Sequence, residues 1–252
     1  VPFRFDHYFH LELLFGFWVP PTLFVLWRTL RFGDRTSTAL VPLLIAAQFL
    51  SCIYFGVFLS TLLGLWLVLL LAFGRVRFDR FAFVRLLLIA VSAAAILIPY
   101  GMPYLRNAQD IGGRSVAETS AYSATLLNYL ASPPESLLYG WTAGQWGSNE
   151  KQLFPGVAVV LLSGVALAIS RQRLVILFGI LSVFAVDLSL GMNGLIYPML
   201  RDHVPIYGGL RVPARASSLV LSLLAILAGY GVAALLALPC LRNSRARQFA
   251  LT

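Results

Sequence analysis

The sequence predicts an all-α integral membrane protein: a bundle of about seven transmembrane helices with the N-terminus outside, the C-terminus inside and a large extracytoplasmic loop. Three observations carry that prediction. Of 252 residues, 59% are hydrophobic and 12% charged, with a mean hydropathy of +0.83, a balance that a water-soluble fold could not bury. Residues 39–73 form a run of 35 without a charge. That run is bracketed by Arg28, Arg31 and Arg35 on one side and by Arg75, Arg77, Arg80 and Arg85 on the other.

A straight helix of that length would extend about 52 Å, against a hydrocarbon core of about 30 Å. Two crossings fit better. Cationic flanks stay in the cytoplasm, so two basic flanks on one side need an even number of crossings between them. The run is therefore read as spans two (38–51) and three (56–73) of a hairpin, with an outer turn at 51–56 expected to floor any cavity there. Span one, 11–30, contains Pro20 and Pro21, which would kink or break it, and it ends inside at arginines. Span four, 84–100, exits through Pro99 and Pro103 into an extracytoplasmic loop at 104–152.

That loop brings Arg106, Asp110, Arg114, Glu118, Glu135, Glu150 and Lys151. Residues 115–130 are expected to form an amphipathic helix, with Val116, Tyr122, Leu126, Leu127, Tyr129 and Leu130 on one side. Tyr139, Trp141 and Trp146 suit a membrane interface. Spans five (154–169) and six (174–190) flank a basic turn at Arg171 and Arg173, a second outer segment covers 191–215, and span seven (216–238) leads to Arg242, Arg245 and Arg247. Every basic cluster then falls inside.

Net charge is +9, carried by 18 arginines and Lys151. These cations flank apolar runs, as membrane orientation requires, and form no soluble phosphate-reading face, which excludes nucleic acid as a partner. Cys52 and Cys240 fall at opposite ends of the membrane, so no disulfide is expected, and His7, His10 and His203 have no ligand spacing for a metal. No hydrolase, phosphate-loop or metalloprotease signature is present and no cofactor is expected. The spacing of Gly56, Ser60 and Gly64 could let helices approach closely. Residue 1 is Val, and the residues before span one are unlike a secretory signal, so further spans are expected upstream.

The threading gathers residues 4–12, 104–152 and 191–215 on the outer face, as a shared site would require. Arg211 and Arg215 lie four apart, and Pro213 would put Arg215 in the first turn of span seven, where free N–H groups and the helix dipole attract an anion. With Arg201 they form a candidate phosphate site; snorkelling to headgroups or pairing with Asp202 are the alternatives. His203 beside Asp202 reads as a general base or as a plain surface pair. Glu12, near the outer end of span one, needs a partner at that depth, and so does Asp187, for which Arg201 or Arg211 would serve.

Several stretches carry a resemblance. They are Ala121 to Ala124, Tyr129 to Pro134, Leu153 to Gly156, Asp202 to Pro205 and Gly209 to Arg215. In this order the chain resembles bacterial polytopic membrane proteins of the GT-C glycosyltransferase type, YfhO-like members above all. The resemblance implies transfer of a sugar from a polyprenyl-phosphate-linked donor to a glycan, lipid or protein acceptor at the extracytoplasmic face of the bacterial inner membrane, without a bound nucleotide. It implies a catalytic acid in the first outer loop of the full protein, upstream of Val1. Arg211 and Arg215 are the residues it assigns to the donor phosphate. Within the chain Glu12, Asp110, Glu118 and His203 are the remaining catalytic candidates. A transporter or flippase, or a non-catalytic subunit of a polysaccharide assembly system, are the competing readings.

Overall fold

The computed structural model describes residues 10–111, 113–148 and 150–238, the backbone alone at 104–111. The described residues form helices and turns, without a strand.

The first helix, α1 (Val19–Phe32), opens on Pro20 and Pro21. In the first turn an N–H has no intrahelical acceptor, so the two prolines start the helix instead of kinking it. Glu12 is consequently not inside a span. It lies on a separate 3-10 turn, Leu11–Leu14. Gly33, at φ 69°, closes α1, and Asp34 opens α2 (Arg35–Ser51) by accepting from the N–H groups of Thr36 and Ser37, each at 3.3 Å. The Ser37 hydroxyl, 2.6 Å away, is the main cause holding the Asp34 carboxyl below its ordinary range. A depressed carboxyl adds stability above its unfolded pKa of about 4 and loses it as pH falls through the lower folded value. Melting followed below about pH 4 is therefore expected to show an acid-dependent loss that Asp34→Asn flattens.

Cys52 breaks the uncharged run with an extended backbone (φ −160°, ψ 114°), and α3 (Ile53–Ala72) follows. Gly16 lies against the Phe55 ring, and Trp66 Nε1 donates to the Leu23 carbonyl at 3.3 Å, so α1 and α3 point the same way. The hairpin expected from the flanking arginines is thus present, with a tighter turn. Trp66 is buried and stacks on Phe178 at 5.1 Å. Phe55, Phe58, Leu59, Leu62 and Leu70 complete a column of buried side chains along α3.

Helix α4 (Arg80–Ile111) continues past Pro99 and Pro103, so the chain does not leave the helix at residue 100 as expected. The prolines stand four apart on an exposed face, so the donors they lack fall in one outer row of the helix, and the helix continues through them. Leu87, Leu88, Val91 and Ile98 are exposed, and only 17% of the most apolar stretch of α4 is buried. An apolar helix so exposed has lipid as its solvent.

The helix expected at 115–130 is broken. α5 (Val116–Ala121) ends where the Ser123 hydroxyl bonds back to the Thr119 carbonyl (2.8 Å) and Ala124 N–H donates to Ser189 (3.2 Å). A new 3-10 turn, Leu126–Leu130, starts on a Thr125/Asn128 capping box. Tertiary hydrogen bonds override the amphipathic pattern.

α6 (Val157–Ile169), α7 (Arg173–Ser189), α8 (Ile196–His203) and α9 (Ser217–Leu236) complete the bundle. α6 and α9 meet through small residues: buried Ala166 and Ala228, the Ser163 hydroxyl on the Leu224 carbonyl (3.0 Å), and Gly231 against the Leu162 carbonyl. Gly64, by contrast, faces open space, and Gly56 receives the Phe49 ring. Arg173 Nη1 reaches the Phe73 carbonyl at 3.5 Å, so the turns after α3 and before α7 share one end. The segments at 113–156 and 191–216 occupy the other. Three helices, Ile53–Ala72, Arg80–Pro103 and Pro213–Leu236, are long and apolar enough to cross a membrane, and the architecture is that of a helical membrane protein.

Candidate functional site

The segment at 191–215, expected to be an outer one, packs into the bundle. Tyr197 on α8 and Tyr207 are both buried; the Tyr197 hydroxyl donates to the Leu210 carbonyl at 3.1 Å, and the Tyr207 hydroxyl meets Thr61 of α3 at 2.6 Å. These tyrosines pin residues 196–212 to the top of the bundle. The arginines between and after them are then held over the 113–152 segment. Burial disfavours the phenolate, which raises the pKa of Tyr197.

All three expected arginines converge on that segment. Arg201 donates to Thr119 Oγ1 (2.9 Å) and to the Arg114 carbonyl (2.6 Å). Arg211 donates to the Tyr122 hydroxyl (2.8 Å), lies over the Tyr122 ring at 4.5 Å, and has its Nε 3.5 Å from Glu118. The hydrogen bond it donates to Tyr122 is the leading reason the guanidinium pKa rises further. Arg215 grips Glu150 Oε2 through Nη2 (2.8 Å) and Nε (2.9 Å), with side chains 11% and 19% exposed. Its other face lies 4.8 Å above the Tyr54 ring. The Tyr54 hydroxyl accepts from the Arg211 backbone N–H at 3.1 Å.

Tyr54, in the first turn of α3, thus floors the cluster where the outer turn was expected to. Glu118 serves two cations, since Arg114 Nη1 is 3.8 Å from the oxygen that faces Arg211. Arg114 and Arg211 thus share Glu118, Arg215 holds Glu150, and Arg201 is held by Thr119 and the Arg114 carbonyl. Glu150 holds its position at φ 58°, a left-handed backbone unusual for a side-chain-bearing residue. Lys151 next to it donates to the carbonyls of Ala121 (2.7 Å) and Ser123 (3.2 Å), closing the end of α5, and burial lowers its pKa.

Other expected residues fall elsewhere. Asp187 takes no arginine; it accepts from the N–H groups of Leu195 (3.0 Å) and Ile196 (2.8 Å), satisfying free donors at the start of α8. His203 bonds the Met199 carbonyl at 2.8 Å and is exposed beside Asp202. Glu12 pairs with His10 at 3.4 Å, both half-exposed. Cys52 lies within electrostatic range of both Glu12 and Arg215, so the 3-10 turn carrying Glu12 sits at the same end as the arginines. The side chain of Asp110 lies outside the described residues, as do His7 and Arg4.

Below Arg215 an open apolar groove of about 440 Å³ runs between residues 13–20 and the first half of α9, lined by Leu13, Phe17, Pro20, Ser218, Leu221 and Ile226. It begins one turn after Arg215. The arrangement places guanidinium groups at the head of an apolar furrow, a combination suited to an amphiphilic anion. Tyr54, Tyr122 and Glu150 were not read as site residues in the sequence, where Tyr122 was placed on an apolar helix face; the one available sign was that Glu150 and Lys151, with Glu135, are the charges between Glu118 and Arg171. Comparison of the chain with protein-family models, with characterised proteins and with solved structures gives no match, which leaves the side-chain arrangement to indicate function.

Proposed function

We propose that the chain is a seven-span inner-membrane protein, N-terminus out and C-terminus in, that transfers a sugar from a polyprenyl-phosphate-linked donor to an acceptor at the extracytoplasmic face, as GT-C-type enzymes do. The observation that carries this reading is the convergence of Arg201, Arg211 and Arg215 at the head of an apolar groove. In such a reaction the donor phosphate gains charge as the glycosidic bond breaks, and fixed guanidinium groups stabilise it. The phosphate would displace Glu118 or Glu150 from its arginine, and the isoprenoid chain would follow the groove along α9. Glu118, one-third exposed and shared between two arginines, is the described carboxylate best placed to take a proton from an acceptor.

The middle turns of the three helices long and apolar enough to cross a membrane carry no Asp, Glu, Lys or Arg, which speaks against ion-coupled transport. Full-length protein in proteoliposomes with a polyprenyl-phosphate-linked sugar is expected to transfer label to acceptor, and Arg211→Ala to lower kcat about 10²-fold. Absence of donor-dependent transfer across a panel of sugars would overturn the reading. The orientation has its own check. Cysteines at Ser148 and Gln172 are expected to label from opposite sides of the membrane, and labelling from the same side contradicts it.

A further inference from the structure

We propose that residues 126–146 form a wedge that enters the lipid leaflet beside α6. Apart from Glu135 and Gln145, which are exposed, the segment is polar inside and apolar outside. Asn128, Ser132 and Thr142 are buried, whereas Leu126, Leu127, Leu130, Leu137, Leu138 and Trp141 are exposed, Leu137 completely (102%) and Trp141 by 63%. Water would not tolerate that inversion, and lipid requires it.

Lipid also demands that backbone donors and acceptors find partners within the protein. The buried polar side chains supply them. Asn128 Nδ2 donates to the Trp146 carbonyl (2.7 Å), and its Oδ1 accepts the Thr125 N–H (2.7 Å). The Thr142 hydroxyl accepts the Ser132 N–H (2.9 Å) and donates to the Tyr139 carbonyl (2.6 Å). Between residues 119 and 149 the sequence has a single charge, Glu135.

The position of the wedge names its partner. α6 has 13 residues, about 20 Å of helix, some 10 Å short of a hydrocarbon core. The wedge sits where that length is missing: Tyr139 packs edge-on against Phe154 at 5.1 Å, and Phe154 N–H donates to Ala131 (2.9 Å), three residues before α6 begins. Its exposed leucines therefore continue the exposed face of Val157, Val160 and Leu161 on α6. Trp141 and Trp146, 5.9 Å apart, add the amphipathic rings favoured at a headgroup boundary. A bilayer fits this surface; a soluble protein partner would not meet the same face continued along α6.

The test uses the full chain, with Cys52 and Cys240 replaced by Ser, in phosphatidylcholine and phosphatidylglycerol vesicles. A nitroxide at Leu137→Cys is expected to collide more with oxygen than with a water-soluble nickel chelate, at a depth of about 5–10 Å, and one at Ser148→Cys to show the reverse. A label at 137 open to the chelate, or shielded from both agents by protein, overturns the proposal. A second readout does not depend on that variant. Quenching of tryptophan fluorescence by lipids brominated near the headgroup is expected to fall in Trp141→Phe, and an unchanged quenched fraction also overturns it.

Discussion

Arg215→Ala is expected to lower stability by about 3 kcal/mol, because it leaves the Glu150 carboxylate partly buried without the guanidinium that holds it through two donors. The left-handed backbone at Glu150 loses that contact at the same time. Arg215→Lys should recover part of the loss, since an ammonium restores the charge but not the fork. The partner substitution separates a structural role from a binding one. Glu150→Gln is expected to destabilise the fold as well, yet to tighten binding of a phosphate, since it removes the anion that occupies Arg215. Thermal melting of the three variants in detergent, paired with phosphate titration, reads both effects. If Glu150→Gln weakens phosphate binding as much as Arg215→Ala does, competition between carboxylate and phosphate is ruled out.

Gly231→Val is expected to have the largest purely structural effect. Any Cβ at this position would overlap the Leu162 carbonyl, a backbone atom that cannot rotate away. Helices α6 and α9 would have to separate, opening the small-residue seam of Ala166 and Ala228 and stretching the bond between Ser163 and Leu224. The cost of about 3 kcal/mol or more should appear as loss of folded protein during extraction. Gly64→Val on α3, where nothing lies within 4 Å, is expected to leave the yield unchanged and serves as the control. Equal behaviour of the two variants would show that the seam is not what holds α6.

The contrast between these glycines shows which parts of the fold were legible in the sequence. Both stand in apolar helices with small neighbours, and nothing local tells that one meets a backbone and the other open space. What could be read were the features set by one dimension: the uncharged run, the arginines that end each helix, and the hairpin they imply. Pro20 and Pro21 were visible, but whether prolines start or break a helix depends on where its first turn falls. Pro99 and Pro103 went the other way, because a row of missing donors on an exposed face does not end a helix.

The candidate site was half legible for a similar reason. Arg201, Arg211 and Arg215 stood out as cations on the side expected to be outer, where cations are unusual. Their partners did not. Glu118 and Glu150 lie 93 and 65 residues from the arginines they meet, and their pairing depends on buried Tyr197 and Tyr207 pulling 196–212 onto the bundle. Asp202, the neighbour in sequence, takes no part, because adjacent residues on α8 point to different sides.

The measurement closest to the central claim is the affinity of the full-length protein, in lipid nanodiscs, for a polyprenyl phosphate without its sugar. The wild type is predicted to bind it, and Arg211→Ala and Arg215→Ala each to weaken binding about tenfold to a hundredfold, the worth of one charge-assisted contact. Unchanged affinity in both variants would contradict a phosphate site at the arginine cluster.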